Sequence, residues 1–345
     1  MADSRLNGAE RALQHIFSKP SKFGHIFNGL SVGLATLAGF ALIDRLPDHR
    51  PLPPADLPLD IRAVRLGSVD GDLRLAGAWE LRSDDPRFGG ISALAFDRGR
   101  FLAVTDRGAM IRFDPPGVAR ARVRLADLRE GPGPFARKWA RDAESLVPDP
   151  RGRGWWVGYE QRHSLWLYDN DFSAALASVD LDRPRWRDNR GAEGLVVDHG
   201  ELLALGENGR DAIRVGPGRL TKLELQAGAD IAEAATAPDG SRWVLLRKKG
   251  RGGIEQSIAP LQRTRDGYRT GRPWPLPKAA LDNYEGMAIE ARPDGRWRFW
   301  LITDDGHRIM ARTILVALDL KLPARHDKSP ARGAGLSNKP AVATP

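Results

Sequence analysis

Cysteine is absent from the 345 residues, which excludes disulfides, thiolate zinc sites and a cysteine nucleophile, and leaves the redox compartment open. The body has no HExxH, no P-loop and no usable Ser-His-Asp arrangement. The segment Gly29-Leu30-Ser31-Val32-Gly33 matches the nucleophile-elbow pattern, but it lies in an apolar run with no strand before it. Past residue 60 no convincing amphipathic helix occurs, and no block of like charge. The net charge of +9 is therefore misleading: residues 1–50 carry +2 and residues 321–345 carry +4, leaving +3 for the body. Scattered arginines among acids exclude a nucleic-acid-binding face.

What is present divides into four stretches. Residues 1–45 hold a basic flank (Arg5, Arg11, Lys19, Lys22) and an uncharged run from Ile26 to Ile43, eighteen residues long and near the lower limit for a bilayer span. This reads as an N-terminal membrane-targeting helix, either a cleaved signal peptide or an anchor, with the body exported to the periplasm or the cell exterior because the basic flank stays inside. Residues 46–59 form a proline-rich linker, residues 60–320 one large β domain, and residues 321–345 a disordered tail. A 41% hydrophobic content suffices for a real core.

The body is built on a recurring hairpin, best seen in residues 189–209. Leu195–Asp198 and Glu201–Leu205 are β-favouring, and His199-Gly200 between them is a two-residue turn. Glu193 precedes the first strand and Glu207 follows the second, so antiparallel pairing returns both carboxylates to one edge. Equivalent hairpins place Ser92, Glu144, Glu193, Glu233 and Glu285 at spacings of 52, 49, 40 and 52 residues. That period is one four-stranded blade, and the expected fold is an all-β propeller of five blades, or six if Asp60–Arg82 makes its own. In the five-bladed case Leu73–Leu81 completes the blade that the strand after Arg312 leaves unfinished.

The runs GGISALAFDRGRFLAVTDRGAMIRFD, RDAESLVPD, WWVGYEQRHSLWLYD, NRGAEGLVVD, LALGENG, DNYEGMAIEARPDG and WLITDDGH, in this order, resemble the phytase-like family described as having esterase-like activity of phytase. The resemblance spans about residues 65–320. It implies a β-propeller in which the recurring Glu and Asp residues carry phosphoester chemistry.

Propeller geometry alone directs these acids to one channel mouth. Glu144, Glu193 and Glu285 are expected in an inner ring, with Asp106, Glu160, Glu207, Asp304 and Asp305 beside it. So many carboxylates cannot all ionise cheaply without a cation. Hard oxygen ligands favour calcium, or magnesium, with Asn208 and Asn283 as neutral partners. The expected catalytic residues are Glu193, Glu285, Glu144 and Glu207, acting with a metal that polarises the ester and a free carboxylate as base. The fourth repeat has Arg247 where an acid would stand. Arg247, Lys248, Arg107 and His307 are therefore candidates to hold an anionic or ester substrate. His199 reads as a turn residue, and the tryptophans as packing between blades.

The competing reading makes each acid a tie for neighbouring backbone amides, and the Asp-Arg-Gly and Glu-Asn-Gly sequences plain turns. A gluconolactonase-like lactonase and a scaffold propeller without chemistry are the functional alternatives. The protein is expected to be a monomer.

Overall fold

In a computed structural model, the described residues are 51–321 except 68, 70, 136–139, 182–185, 187–189, 251–252, 279–282 and 308–310. The chain divides into Met1–His49, which falls outside the described residues together with the targeting run and the tail, and Arg50–Pro345, which holds all the described ones. Among the described residues there is no α-helix, and no helix long and apolar enough to cross a membrane.

The strands form five antiparallel modules. The first runs Ile91–Asp97, Arg100–Thr105, Ala109–Phe113 and Arg122–Asp127. The second is Ala143–Pro148, Trp155–Tyr159, Ser164–Tyr168 and Ala175–Asp180. The third is Ala192–Asp198, Glu201–Gly206, Asp211–Gly216 and Arg219–Gln226. The fourth is Asp230–Thr236, Arg242–Gly250, Gly253–Arg263 and Gly267–Thr270. A parallel pairing of Arg219–Gln226 with Gly267–Thr270 joins the third and fourth modules into one sheet.

The fifth module combines the two ends of the body. Asn283–Ala291, Trp297–Asp304 and Ile314–Leu320 are completed by Leu73–Arg82, which pairs antiparallel with Ile314–Leu320. Asp60–Ala63 adds an edge to this module and Ala55–Pro58 an edge to the first. Ordered pairing thus reaches into the proline-rich stretch, where the Leu52 amide also donates to Asp127 Oδ2 at 2.6 Å.

The first strand of each module packs on that of the next, and the fifth returns to the first, closing a cycle. This explains the burial pattern: Ala192–Asp198 is buried on both faces, whereas the outer Ala175–Asp180 is largely exposed. The fold is all-β and propeller-like. Its hairpin turns follow the sequence reading: Arg98-Gly99 and His199-Gly200 have positive φ at both positions (50° and 78°, 51° and 81°), as a type I′ turn requires. The His199 side chain is 71% exposed. Aromatic side chains fill the seams between modules. Trp243 of the fourth meets Phe299 of the fifth at 4.9 Å, and Trp300 of the fifth meets Phe101 of the first at 5.0 Å, both edge-on.

Candidate functional site

Each first strand carries a β-bulge near its start, and the bulges define the ring. The unpaired residue is Ser92, Glu144, Glu193, Ala232 and Glu285 in modules one to five. A bulge re-aims one side chain without breaking the hairpin. The fourth module corrects the sequence alignment: its bulge is Ala232, and Glu233 stands one residue further on. The opposing residues after the second strands are Asp106, Glu160, Glu207, Arg247 and Asp304, in the register expected from sequence. The fourth module therefore contributes no acid to either tier of the mouth and places a guanidinium there instead.

Arg247 neutralises its two flanks. Its Nη1 donates to Glu285 Oε1 at 2.6 Å and its Nη2 to Glu207 Oε1 at 2.8 Å. Arg190 adds a contact to Glu207 Oε2 at 3.3 Å and one to Asp230 at 3.7 Å. A side-chain cation thus serves this sector. Burial lowers the Arg247 pKa, but Glu285, Glu193 and Glu207 more than reverse that, so the guanidinium stays charged. At Glu285 burial dominates and pushes the pKa up to about 7; Arg247 pulls it down, while Asp304 and Glu207 add to the rise.

The second module is different. Asp142, Glu144 and Glu160 bring one carboxylate oxygen each to within 4.8 Å of one another. Burial raises Glu144 well above the usual carboxylate range, and Asp142, Glu193 and Glu160 raise it further. Three hard oxygens at this separation match the span across a calcium ion, whose oxygen ligands lie at about 2.3–2.6 Å. The hairpin holds the trio together, since the Glu160 amide donates to the Asp142 carbonyl at 2.9 Å. Gly191 lets the third module close on it: a Cβ there would lie 2.5 Å from Glu160 Cα. Glu193 links the two sectors. Burial raises its pKa, Glu285, Glu160 and Glu207 reinforce the rise, and Arg247 opposes it.

Glu233 occupies a deeper slot. The corresponding residues of the other modules are Ala93, Ser145, Gly194 and Gly286, all small. Glu233 is 1% exposed, accepts from the Ala234 amide at 2.8 Å, and meets the Leu94 amide of the non-adjacent first module. Its Oε2 has no hydrogen-bond partner among the described residues. Burial raises its pKa well above normal, with Glu193 and Glu285 adding and the Ala234 and Leu94 amides opposing, which favours the protonated form. Nearby, Leu94, Leu146, Leu195, Ala234 and Met287 line an apolar cavity of about 110 Å³.

The remaining candidates take up the local roles that turns provide. Asn208 Oδ1 accepts from the Arg210 amide at 2.8 Å and its Nδ2 donates to Asp211 at 2.9 Å. Asp304 Oδ1 accepts from the Gly306 amide at 2.7 Å. Asp305 ties the fifth module to the first, accepting from the Gly90 and His307 amides at 2.9 and 3.0 Å and from Thr313 Oγ1 at 2.8 Å. Asp106 and His307 converge on Gly90, where a Cβ would lie 2.4 Å from Asp106 Oδ1 and 3.0 Å from His307 Nε2. Lys248 is exposed and lies opposite Glu255. Arg107 is half-buried on the loop after the first module's second strand. Sequence reasoning missed Asp142 and Arg190 as site residues. The available signals were Asp142 two positions before Glu144, and Arg190 directly before the glycine that admits Glu160.

A family model described as "Phytase-like: Esterase-like activity of phytase" matches residues 86–307. A comparison with curated proteins found no match. Among solved structures, Myxococcus xanthus glutaminyl cyclase has a TM-score of 0.45 at 15% identity, over 75% of this chain and 98% of that one. The Kuenenia stuttgartiensis hydrazine synthase structure gives 0.37 at 12% identity, over 64% of this chain and 57% of that one. The Neurospora crassa Pan2 WD40 domain gives 0.39 at 10% identity, over 73% and 96%.

Proposed function

This chain belongs to the phytase-like family, described by esterase-like activity of phytase, and from that premise we propose that it is a hydrolase of phosphoesters or esters that uses a divalent cation held by Asp142, Glu144 and Glu160. The observation that carries this reading is the convergence of those three carboxylates within 4.8 Å, with burial, Asp142, Glu193 and Glu160 all raising the Glu144 pKa. We read the five modules as the blades of a propeller and the acidic end of the channel as the active site.

A bound calcium or magnesium ion would polarise a phosphoryl or carbonyl oxygen and activate water. The chain's own residues supply the rest. Glu285, with a pKa of about 7, is poised to take or give a proton near neutral pH. Arg247 holds Glu285 and Glu207 in place at 2.6 and 2.8 Å. Glu193 couples the proton-transferring sector to the metal-holding one, and the neutral Glu233 and the apolar lining beneath it keep water chemistry at the mouth. The full chain is expected to hydrolyse generic phosphomonoester, phosphodiester or carboxylic ester substrates in calcium or magnesium and to lose that activity in chelator. Turnover unaffected by chelator would refute the metal assignment, and no turnover of any substrate would leave a binding role.

The reading also places the enzyme outside the cytoplasm, attached or released, on the strength of the uncharged run 26–43 and its basic flank. A reporter fused after Leu320 should be active on the far side of the membrane. Activity confined to the cytoplasm would overturn export.

A further inference from the structure

Four of the modules have their last strands covered. Ala55–Pro58 pairs along Arg122–Asp127 of the first, Asp60–Ala63 pairs along Leu73–Arg82 of the fifth, and the third and fourth cover each other through Arg219–Gln226 and Gly267–Thr270. The two strands thereby placed outermost are short and carry features that discourage further pairing: Pro58 ends one, and Asp60 and Arg62 charge the other. The second module differs. Among the described residues, no strand pairs with the outer edge of its last strand, Ala175–Asp180.

That strand is six residues long, has no proline, lysine or arginine, and holds its single charge, Asp180, at its end. A register shift between Leu167 and Tyr168 leaves Leu176 unpaired, and a bulge of this kind re-aims the side chain. Leu176 is 51% exposed. A groove of about 450 Å³ runs along the edge, lined by Glu130, Arg141, Trp166, Leu176 and Ser178. Its place on the edge is fixed twice: Trp166 stands opposite Ser178 in the pairing, and Glu130 Oε2 accepts from the Ala175 amide at 2.6 Å. An edge that lacks proline and cations and displays an apolar side chain is a template for an added strand.

Charge selects which strand. From Asp169 to Asp180 the chain carries three aspartates and no Lys or Arg, and Glu130 adds an acid where the edge begins. Arg141, in the groove wall, is 4% exposed and directs its guanidinium to the Leu128 and Arg129 carbonyls. A second copy pairing antiparallel on the same edge would bring its Asp180 towards the Glu130 end, setting acid against acid.

We propose that Ala175–Asp180 is a docking edge for an extended, cationic segment of a partner polypeptide, which adds a fifth strand to the second module. Main-chain groups of the segment pair with the edge, its apolar side chains enter the groove against Trp166 and Leu176, and its Lys or Arg residues answer Asp171, Asp180 and Glu130.

The test is an anisotropy titration of the full chain into a labelled peptide of three Lys-Val repeats, which is cationic and alternates as a strand does. The same charges in three Lys-Pro repeats, and the opposite charges in three Glu-Val repeats, are the comparison peptides. So small a contact should be weak, with a dissociation constant on the order of 100 μM. Lys-Pro repeats lack the alternate amides and should bind at least about tenfold more weakly, as should Glu-Val repeats. Leu176→Lys should also lose about tenfold or more, since a lysine on an edge opposes pairing. Asp171→Asn should weaken binding by about two- to fivefold, as for one exposed ion pair. Val118→Lys, at the other exposed large hydrophobic residue in a turn of the first module, should leave binding unchanged. Melting curves establish that each variant folds, and Asp171→Asn with the comparison peptides decides the matter if Leu176→Lys does not. No binding of Lys-Val repeats at about 1 mM, equal binding of Glu-Val or Lys-Pro repeats, or wild-type affinity in both Leu176→Lys and Asp171→Asn would overturn the assignment. Self-association of the chain that Leu176→Lys abolishes would also overturn it, making a second copy the occupant.

Discussion

Calcium at a hundredfold excess over its dissociation constant should stabilise the protein by about 2.7 kcal/mol relative to chelator, raising Tm by roughly 5–10 °C at about 2–4 °C per kcal/mol. The cause is the trio: Asp142, Glu144 and Glu160 converge within 4.8 Å, and Glu144 is held well above its ordinary pKa by burial first and then by Asp142, Glu193 and Glu160. The shift should also depend on pH. Glu285 keeps its proton to about 7 in the folded protein, against about 4.3 in the unfolded chain, and Glu144, Glu193 and Glu233 shift in the same direction. Between those values the native state binds more protons than the unfolded one, so stability falls as pH rises. The Glu285 contribution is fully present below pH ~4.3 and lost above ~7; it amounts to about 4 kcal/mol at 1.36 kcal/mol per unit. Metal-free protein should therefore melt lower at pH 8 than at pH 5, and calcium should raise Tm more at pH 8, where it no longer competes with protons. Glu144→Gln should abolish the calcium shift and hydrolysis together. A calcium shift of wild-type size in Glu144→Gln would refute the trio as the metal site.

Removing the guanidinium of Arg247 should cost about as much as breaking a buried ion pair, on the order of 3–5 kcal/mol, because two partly buried carboxylates are then left without their cation. Arg247 bonds Glu207 and Glu285 at 2.8 and 2.6 Å, with its side chain only 14% exposed. Arg247→Met should lower Tm by roughly 10 °C at neutral pH. Arg247→Met/Glu285→Gln should recover a large part of that loss, since one of the stranded charges is gone. Melting within about 2 °C of wild type for Arg247→Met, less than 1 kcal/mol on the same scale, would mean that the acids of this sector are neutralised by another route.

The hairpins were legible because their determinants are local. Asp198-His199-Gly200-Glu201 specifies a two-residue turn whatever surrounds it, and the strands on either side carry the apolar residues that the ring buries. The period of the acids then follows from chain length per four-stranded module, and the joining of Leu73–Arg82 to Ile314–Leu320 follows from closing a ring with too few strands at one end. The Asn208 and Asp304 turns were equally local, which is why their alternative reading could be written from sequence.

The site was legible only as residue types. Sequence spacing aligns Glu233 with Glu193 and Glu285, but the bulge falls on Ala232 and sends Glu233 down the channel instead of into the mouth. A bulge is one residue of slack in a pairing register, and Ile231-Ala232-Glu233 is compatible with either placement until the neighbouring modules pack against it. The choice of cation is likewise tertiary. Arg247 stands 40 residues from Glu207 and 38 from Glu285 in sequence, so no local pattern tells whether it faces a substrate or its neighbours' carboxylates. The order and period of the acids belong to the sequence. Which acids an arginine neutralises, and which converge with one another, was decided by ring closure, because electrostatic energy depends on through-space separation and burial, and both come into being only when the modules meet.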